Sequence, residues 1–238
     1  MVSLATVSDI HGYWDSIHYP KADFLIYAGD LFDDYSRFQL ISASCQLQEL
    51  ERFNIFLGNL KQKGLYSEII VIAGNHDFVF EKIPECRNLL TNAYYLQNSS
   101  IVLNGIKFYG SPQTVWYHNW AFNLPCGSLK HNGDPEHARK VAEACWGNIP
   151  NDVEVLITHG PPMGILDSNY EGTMIGCPVL EERIEHLTQL QAHIFGHVHH
   201  SYGRTTKTIR GRQVQFVNTA ICADLEIKPI NPIPIIQL

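Results

Sequence analysis

The chain has 238 residues, 45% of them hydrophobic, and a net charge of −7 with histidine neutral. That apolar content supports one large domain over 1–238, and no Gly/Ser run, charge block or internal repeat marks a place to divide it. Its 17 Lys and Arg are too scattered to form the basic stripe that grips long nucleic acid, and no apolar run is long enough to span a membrane.

Apolar, β-rich runs cover Val2 to Ser8, Ala22 to Ala28, Glu68 to Ala73, Val153 to Thr158 and Ala192 to Phe195. They do not alternate with polar residues, which predicts strands covered on both faces. Helical spacing of Leu47, Leu50, Phe53, Ile55, Phe56, Leu57 and Leu60 predicts a helix over Arg37 to Lys63, stopped at Gly64. Glu136 to Trp146 is a second helix, capped by Asp134 with Pro135 in its first turn, and Val179 to Leu190, after Pro178, is a third. Asn104-Gly105 between Ile101–Leu103 and Ile106–Tyr109 predicts a hairpin, and Arg210-Gly211 a second between Tyr202–Ile209 and Gln213–Asn218. The Pro-rich end, Lys228 to Leu238, is expected to run extended along the surface. These elements predict an α/β fold: two mixed β-sheets packed as a sandwich and flanked by α-helices.

Five polar clusters follow the five apolar runs: Asp9-Ile10-His11, Gly29-Asp30, Gly74-Asn75-His76-Asp77, His159-Gly160-Pro161-Pro162 and Gly196-His197-Val198-His199. Ligands of α/β sheets collect at the carboxyl ends of strands, so the fold is expected to bring the clusters to one rim. Carboxylate, imidazole and amide oxygen are the donors that hard and borderline divalent cations take, and twelve histidines exceed ordinary usage. Asp9 and His11 are two residues apart, as are His197 and His199, so each pair is expected to share a side of an extended segment. The six cysteines form no CxxC pair and read as free thiols in a reducing compartment. With no signal peptide before the strand at Val2, a cytoplasmic protein is expected.

In this order, D-x-H, G-D, G-N-H-D, H-G and G-H-x-H resemble the calcineurin-like metallophosphoesterases. His159 to Gly164, Phe195 to His199, Tyr202-Gly203, Asn231 to Pro234, and Gly110-Ser111-Pro112 followed by Trp116, Trp120, Phe122 and Asn123 resemble its MPPED-type (UPF0046-like) subgroup. The resemblance implies two divalent metals, Mn²⁺ first among Fe, Zn²⁺, Ni²⁺ and Mg²⁺. One would take Asp9, His11, Asp30 and His199, the other Asp30, Asn75, His159 and His197. A bridging hydroxide would then attack in line, with His76 as general acid. Asp77 would orient His76, or else serve as a turn or cap residue. Some subgroup members replace the first His of G-H-x-H with Gly; this chain keeps His197. His200 stands where the subgroup often has Glu.

Trp116, Tyr117, Trp120 and Phe122 either stack on a nucleobase or line the core under a loop. Trp116, Trp120 and His200 are the candidate substrate contacts. His18, His118, His131, His137, His186 and His193 have no motif context, and Arg37 is read as a helix-surface residue. The expected activity is hydrolysis of phosphodiesters of nucleotide type, such as cyclic nucleotides, on a small phosphorylated substrate, with no membrane partner. Two rivals remain: a nucleotide-binding regulatory protein with weak residual phosphoesterase activity, and a scaffold that uses the fold as an interaction surface.

Overall fold

The computed structural model describes residues 1–33, 43–116, 118–125, 134–223 and 228–238, and the backbone of 35–36 and 39–40. Arg37, Tyr117, Cys126 and His131 lie outside the described residues. The first sheet holds β1 (Ser3–Val7), β2 (Phe24–Ala28), β3 (Glu68–Ile72) and the short β4 (Tyr94–Tyr95). The second holds β5 (Ser99–Leu103), β6 (Ile106–Ser111), β7 (Val155–Thr158), β8 (Ala192–Phe195), β9 (Gly203–Ile209) and β10 (Arg212–Asn218). A last strand, β11 (Ile235–Gln237), pairs antiparallel with β1 and completes the first sheet in the order β11–β1–β2–β3–β4. The second sheet runs β9–β10–β8–β7–β6–β5, parallel through its centre and antiparallel at both edges.

The continuous apolar runs are explained by three packed layers. In β2, Phe24, Ile26 and Ala28 face the other sheet, where they meet Phe108, Val155, Ile157, Ile194 and Val217. Leu25 and Tyr27 face the opposite way, onto Phe53, Leu57 and Leu60 of α1 (Ala43–Gln62) and onto the short α2 (Phe78–Lys82). In β7, Leu156 turns outward to Trp146 of α3 (Pro135–Trp146) and to Leu180 and Ile184 of α4 (Pro178–Ile184). Each strand therefore has two apolar faces because each sheet is covered by a sheet on one side and helices on the other.

Local signals act as expected in the hairpins and at α3. Asn104 and Gly105 both take positive φ, 51° and 80°, as do Arg210 and Gly211, 48° and 79°; this matches the twist of the strands they join. Asp134 accepts hydrogen bonds from the N–H groups of Glu136 and His137 at 3.0 and 3.1 Å.

Three elements depart from the sequence reading. α1 starts at Ala43 and not Arg37, because Gln39–Leu40 pairs antiparallel with Tyr35–Ser36. α4 stops at Ile184, well short of Leu190: the Thr188 N–H turns away to Asn151 O at 2.7 Å, while Leu187 and Leu190 stay buried in irregular backbone. The Pro-rich end is extended, yet it is not merely laid on the surface, since Ile236 is buried between the sheets.

Candidate metal centre

The chain leaves β1 and β2 through two loops that lie on each other. The N–H groups of Asp9, Ile10 and His11 donate to Gly29 O, Asp30 O and Asp30 O at 3.0, 3.0 and 3.2 Å. This forces left-handed backbone on Asp9, His11 and Asp30, at φ 53°, 41° and 52°. His197 also has positive φ, at 68°. Non-glycine residues in this region cost about 1–3 kcal/mol each, and they persist where surrounding structure over-determines them. The segments after β1 and β8 are therefore not extended, contrary to the sequence expectation, and the paired side chains reach the site by tight turns.

Asp9, His11 and His199 bring one donor atom each to within 4.8 Å of one another. His199 Nε2 is 3.2 Å from Asp9 Oδ1 and 3.4 Å from His11 Nε2. The other Asp9 oxygen accepts from Ser8 Oγ at 2.5 Å and from the His197 N–H at 3.0 Å. Burial works against charge on Asp9, but the His199 hydrogen bond and charge outweigh it and hold the carboxyl at about 2. Burial drives His11 down to about 3, against the pull of Asp30, so its imidazole is neutral, the form a metal takes.

Asp30, His159 and His197 form a second group of the same span, and Asp30 also joins His11 and His76 in a third. His159 Nδ1 donates to Ala28 O at 2.9 Å, which aims Nε2 at Asp30 Oδ2, 3.2 Å away, and at Asn75 Oδ1, 2.8 Å away. With Nδ1 carrying that proton, a neutral His159 turns its Nε2 lone pair toward two oxygen acceptors, a set that either a divalent cation or a proton on Nε2 satisfies. Burial opposes a charged His159, but Asp30 overrides it and raises the imidazole to about 9; the same contact holds Asp30 well below the carboxylate range despite its burial. His197 is depressed by burial to about 3, and Thr114 Oγ1 lies 3.3 Å from its Nε2. His197 and His199 therefore do not act on one side together: they enter different groups.

The donor set fits divalent metals on these grounds. Two of the groups share Asp30 and two share His11, Asn75 Oδ1 stands 2.8 Å from His159 Nε2, and the buried His11 Nδ1 has no hydrogen-bond partner among the described residues. Two glycines hold the loops at contact distance. A Cβ on Gly196 would strike Ser8 Oγ and Asp9 Oδ2, and one on Gly74 would strike Asp30 Oδ1 and the His159 ring.

His76 stands at the edge of this centre. Its N–H donates to Asp30 Oδ1 at 2.8 Å and its Nε2 is 3.9 Å from Asp30 Oδ2. Its ring meets His11 edge-on at 4.9 Å and lies against Trp120 at 4.4 Å. Trp120 comes from a loop tied down by the Ala121 N–H on Asn75 O, at 3.0 Å.

Asp77 does not orient His76. One of its oxygens accepts from the N–H groups of Leu31 and Phe32 at 2.9 and 3.1 Å, and the other from Gly74 N–H at 2.7 Å. It braces the loop after β3 against the loop after β2. Burial and the nearby Asp30 charge push its carboxyl up to about 7, against these donors.

Trp116 follows a two-residue pairing of Thr114–Val115 with Asn123–Leu124 and puts its N–H on Leu124 O at 2.9 Å. Phe122 is buried, and His200 is exposed in the short turn His199–Ser201. His18, His118, His137 and His186 are exposed, and His193 is buried. Cys45, Cys86, Cys145, Cys177 and Cys222 form no disulfide among the described residues, and among those residues no helix is long and apolar enough to cross a membrane.

Two residues of the centre escaped the sequence reading. Gln46, fully buried on α1, donates to His76 O at 2.7 Å and accepts from Val79 N–H at 2.9 Å, clamping the loop after β3. Its signal was a polar residue on the apolar stripe continued by Leu50, Phe53, Leu57 and Leu60. Thr114, beside His197, lies outside the five polar clusters, between Pro112 and Trp116.

A fold of two face-packed mixed sheets whose strand ends converge on Asp, His and Asn donors is that of the metallophosphoesterases. The model of the calcineurin-like phosphoesterase family matches residues 3–201, and the chain belongs to this family of metal-dependent phosphoester hydrolases. It is 33% identical over 257 residues to human metallophosphoesterase domain-containing protein 1, covering 98% of this chain and 69% of that protein. It is 31% identical to a UPF0046 protein of Caenorhabditis elegans, covering 96% of this chain and 59% of the relative. The subgroup is thus the one the motifs resemble. A solved structure superposes at a TM-score of 0.57 and 15% identity, over 92% of this chain and 90% of that one, a likeness of fold.

Proposed function

We propose that this chain is a dinuclear metal-dependent phosphodiesterase acting on nucleotide-sized substrates such as cyclic nucleotides. The observation that carries the reading is Asp30, whose carboxylate lies within ligand reach of both His11 and the His159–His197 pair. Asp9, His11, Asp30 and His199 would hold one cation; Asp30, Asn75, His159 and His197 would hold the other. When bound, the pair would supply activation of water as a nucleophile and neutralisation of charge on the phosphoryl oxygens.

The chain's own residues supply the rest. Gln46 and the Asp30 carboxylate fix the backbone of His76. Its ring sits at the margin of the two groups, where it donates a proton to the departing oxygen. Trp120 walls that margin with a flat apolar surface suited to a nucleoside leaving group. The acidic net charge leaves recognition of an anionic substrate to the cations, which favours a small ester over a polymer.

The test is hydrolysis by Mn²⁺-loaded protein of 2′,3′- and 3′,5′-cyclic nucleotides and of bis(p-nitrophenyl) phosphate, against p-nitrophenyl phosphate as the monoester. Diester turnover that disappears in Asp30→Asn supports the reading. Turnover of the monoester alone, or none above Asp30→Asn, overturns it.

A further inference from the structure

His193 stands in the middle of β8, fully buried, in a layer of the second sheet that is apolar apart from its partner Thr158. Its ring packs on Phe195 at 4.9 Å and Phe216 at 5.9 Å, and Leu156 pairs with it across the sheet. It carries none of the five motifs and touches no residue of the proposed metal centre directly.

Its hydrogen bonds are directional. Thr158 Oγ1 lies 2.6 Å from Gly160 O, and a carbonyl only accepts, so the single hydroxyl proton of Thr158 goes there. His193 Nε2, 2.8 Å from the same Thr158 oxygen, must then be the donor. The tautomer is fixed as Nε2–H, and Nδ1 is left with a lone pair, buried and without a hydrogen-bond partner. A phenylalanine or leucine would leave no such orphan. The apolar layer thus keeps a polar ring whose one bond reaches the His159-Gly160 turn.

That turn carries His159. The imidazole must present Nε2 to Asp30 and Asn75, and its backbone is pinned from three sides: His159 N–H on Ser111 O at 3.2 Å, Gly196 N–H on His159 O at 2.9 Å, and the Thr158 hydroxyl on Gly160 O. The third pin is held in place from below by His193.

We propose that His193 is a positioning residue for the metal centre, acting through the Thr158 hydroxyl and the Gly160 carbonyl to fix the turn that presents His159 Nε2. This rests on His159 being a metal ligand, as proposed above. Burial keeps His193 neutral by driving its imidazole down to about 3, so the donor arrangement holds throughout the working pH range.

The experiment is Mn²⁺ binding by calorimetry to the full chain, wild type against His193→Phe, His193→Gln and Thr158→Val. Outer partners of metal ligands typically tune affinity by about 10- to 100-fold. One of the two Mn²⁺ sites, the one that includes His159, is expected to lose at least about tenfold in His193→Phe and in Thr158→Val, with no further loss when the two are combined. His193→Gln, which places an N–H donor where Nε2 stands, is expected to recover to within about threefold of wild type. If His193→Phe does not fold, ¹⁵N chemical shifts of His193 in the wild type decide: protonated Nε2 and bare Nδ1 are expected, and the opposite tautomer overturns the proposal. Wild-type affinity in His193→Phe, or a Gln variant as weak as the Phe variant, also overturns it. A wild type that binds no Mn²⁺ sinks the metal reading itself, a result distinct from either.

Discussion

Asp30 Oδ2 stands 3.2 Å from His159 Nε2, with both side chains sealed from solvent. In metal-free protein a proton holds this pair together, and a divalent cation takes its place when bound. Metal is therefore expected to stabilise the fold, by about 2.7 kcal/mol at one hundred times its dissociation constant. Thermal unfolding with and without Mn²⁺ checks this: the midpoint should rise in wild type and rise by less in Asp30→Asn. A midpoint that does not respond in wild type contradicts it.

His76 lies beside the centre and is assigned proton donation, so its removal should depend on the leaving group. His76→Ala is expected to slow an alkyl or nucleoside diester by about 10²- to 10⁴-fold. A p-nitrophenolate ester, whose leaving group needs no proton, should lose far less. Paired turnover measurements on the two esters decide; equal losses would mean that His76 acts otherwise.

Asp77 holds three backbone N–H groups rather than His76, which moves its expected effect from chemistry to stability. Asp77→Asn turns an amide NH₂ toward at least one of those buried donors. A loss of about 1–3 kcal/mol in urea unfolding follows, with the limbs of the pH–rate profile unshifted. Full stability combined with a displaced acid limb would restore the orienting role.

The fold's response to acid has a defined contributor in His193. Its folded pKa, about 3, lies below the unfolded value of 6.5, so the unfolded chain takes up a proton that the folded protein refuses. Its share of stability is complete above about pH 6.5, falls by up to about 1.4 kcal/mol per pH unit below that, and levels off near pH 3. Urea unfolding between pH 4 and 7 should show a shallower slope in His193→Phe than in wild type. Identical slopes would show that His193 titrates in the folded protein as it does in the unfolded chain.

The candidate donor types, their order and their place at strand ends were all legible, because apolar runs covered on both faces leave abrupt polar ends. The hairpins and the cap of α3 were legible for a local reason: Asn104-Gly105, Arg210-Gly211 and Asp134-Pro135 each set their own backbone. Boundaries decided by distant partners were not. Leu187 and Leu190 keep the apolar spacing after α4 has ended, since burial continues while the helix does not. Ile236 enters the first sheet beside β1 from a Pro-rich stretch with no strand-like run of its own. The left-handed turns at Asp9, His11 and His197 come from loops stacking on each other, and the task of Asp77 comes from N–H groups more than forty residues away. Neither relationship leaves a trace in local spacing.

The central claim, two cations sharing one carboxylate, is tested most directly by counting bound metal. Equilibrium dialysis against Mn²⁺ with elemental analysis is expected to give two ions per wild-type chain and at most one in Asp30→Asn. A single ion in wild type, or two retained in Asp30→Asn, would contradict the account.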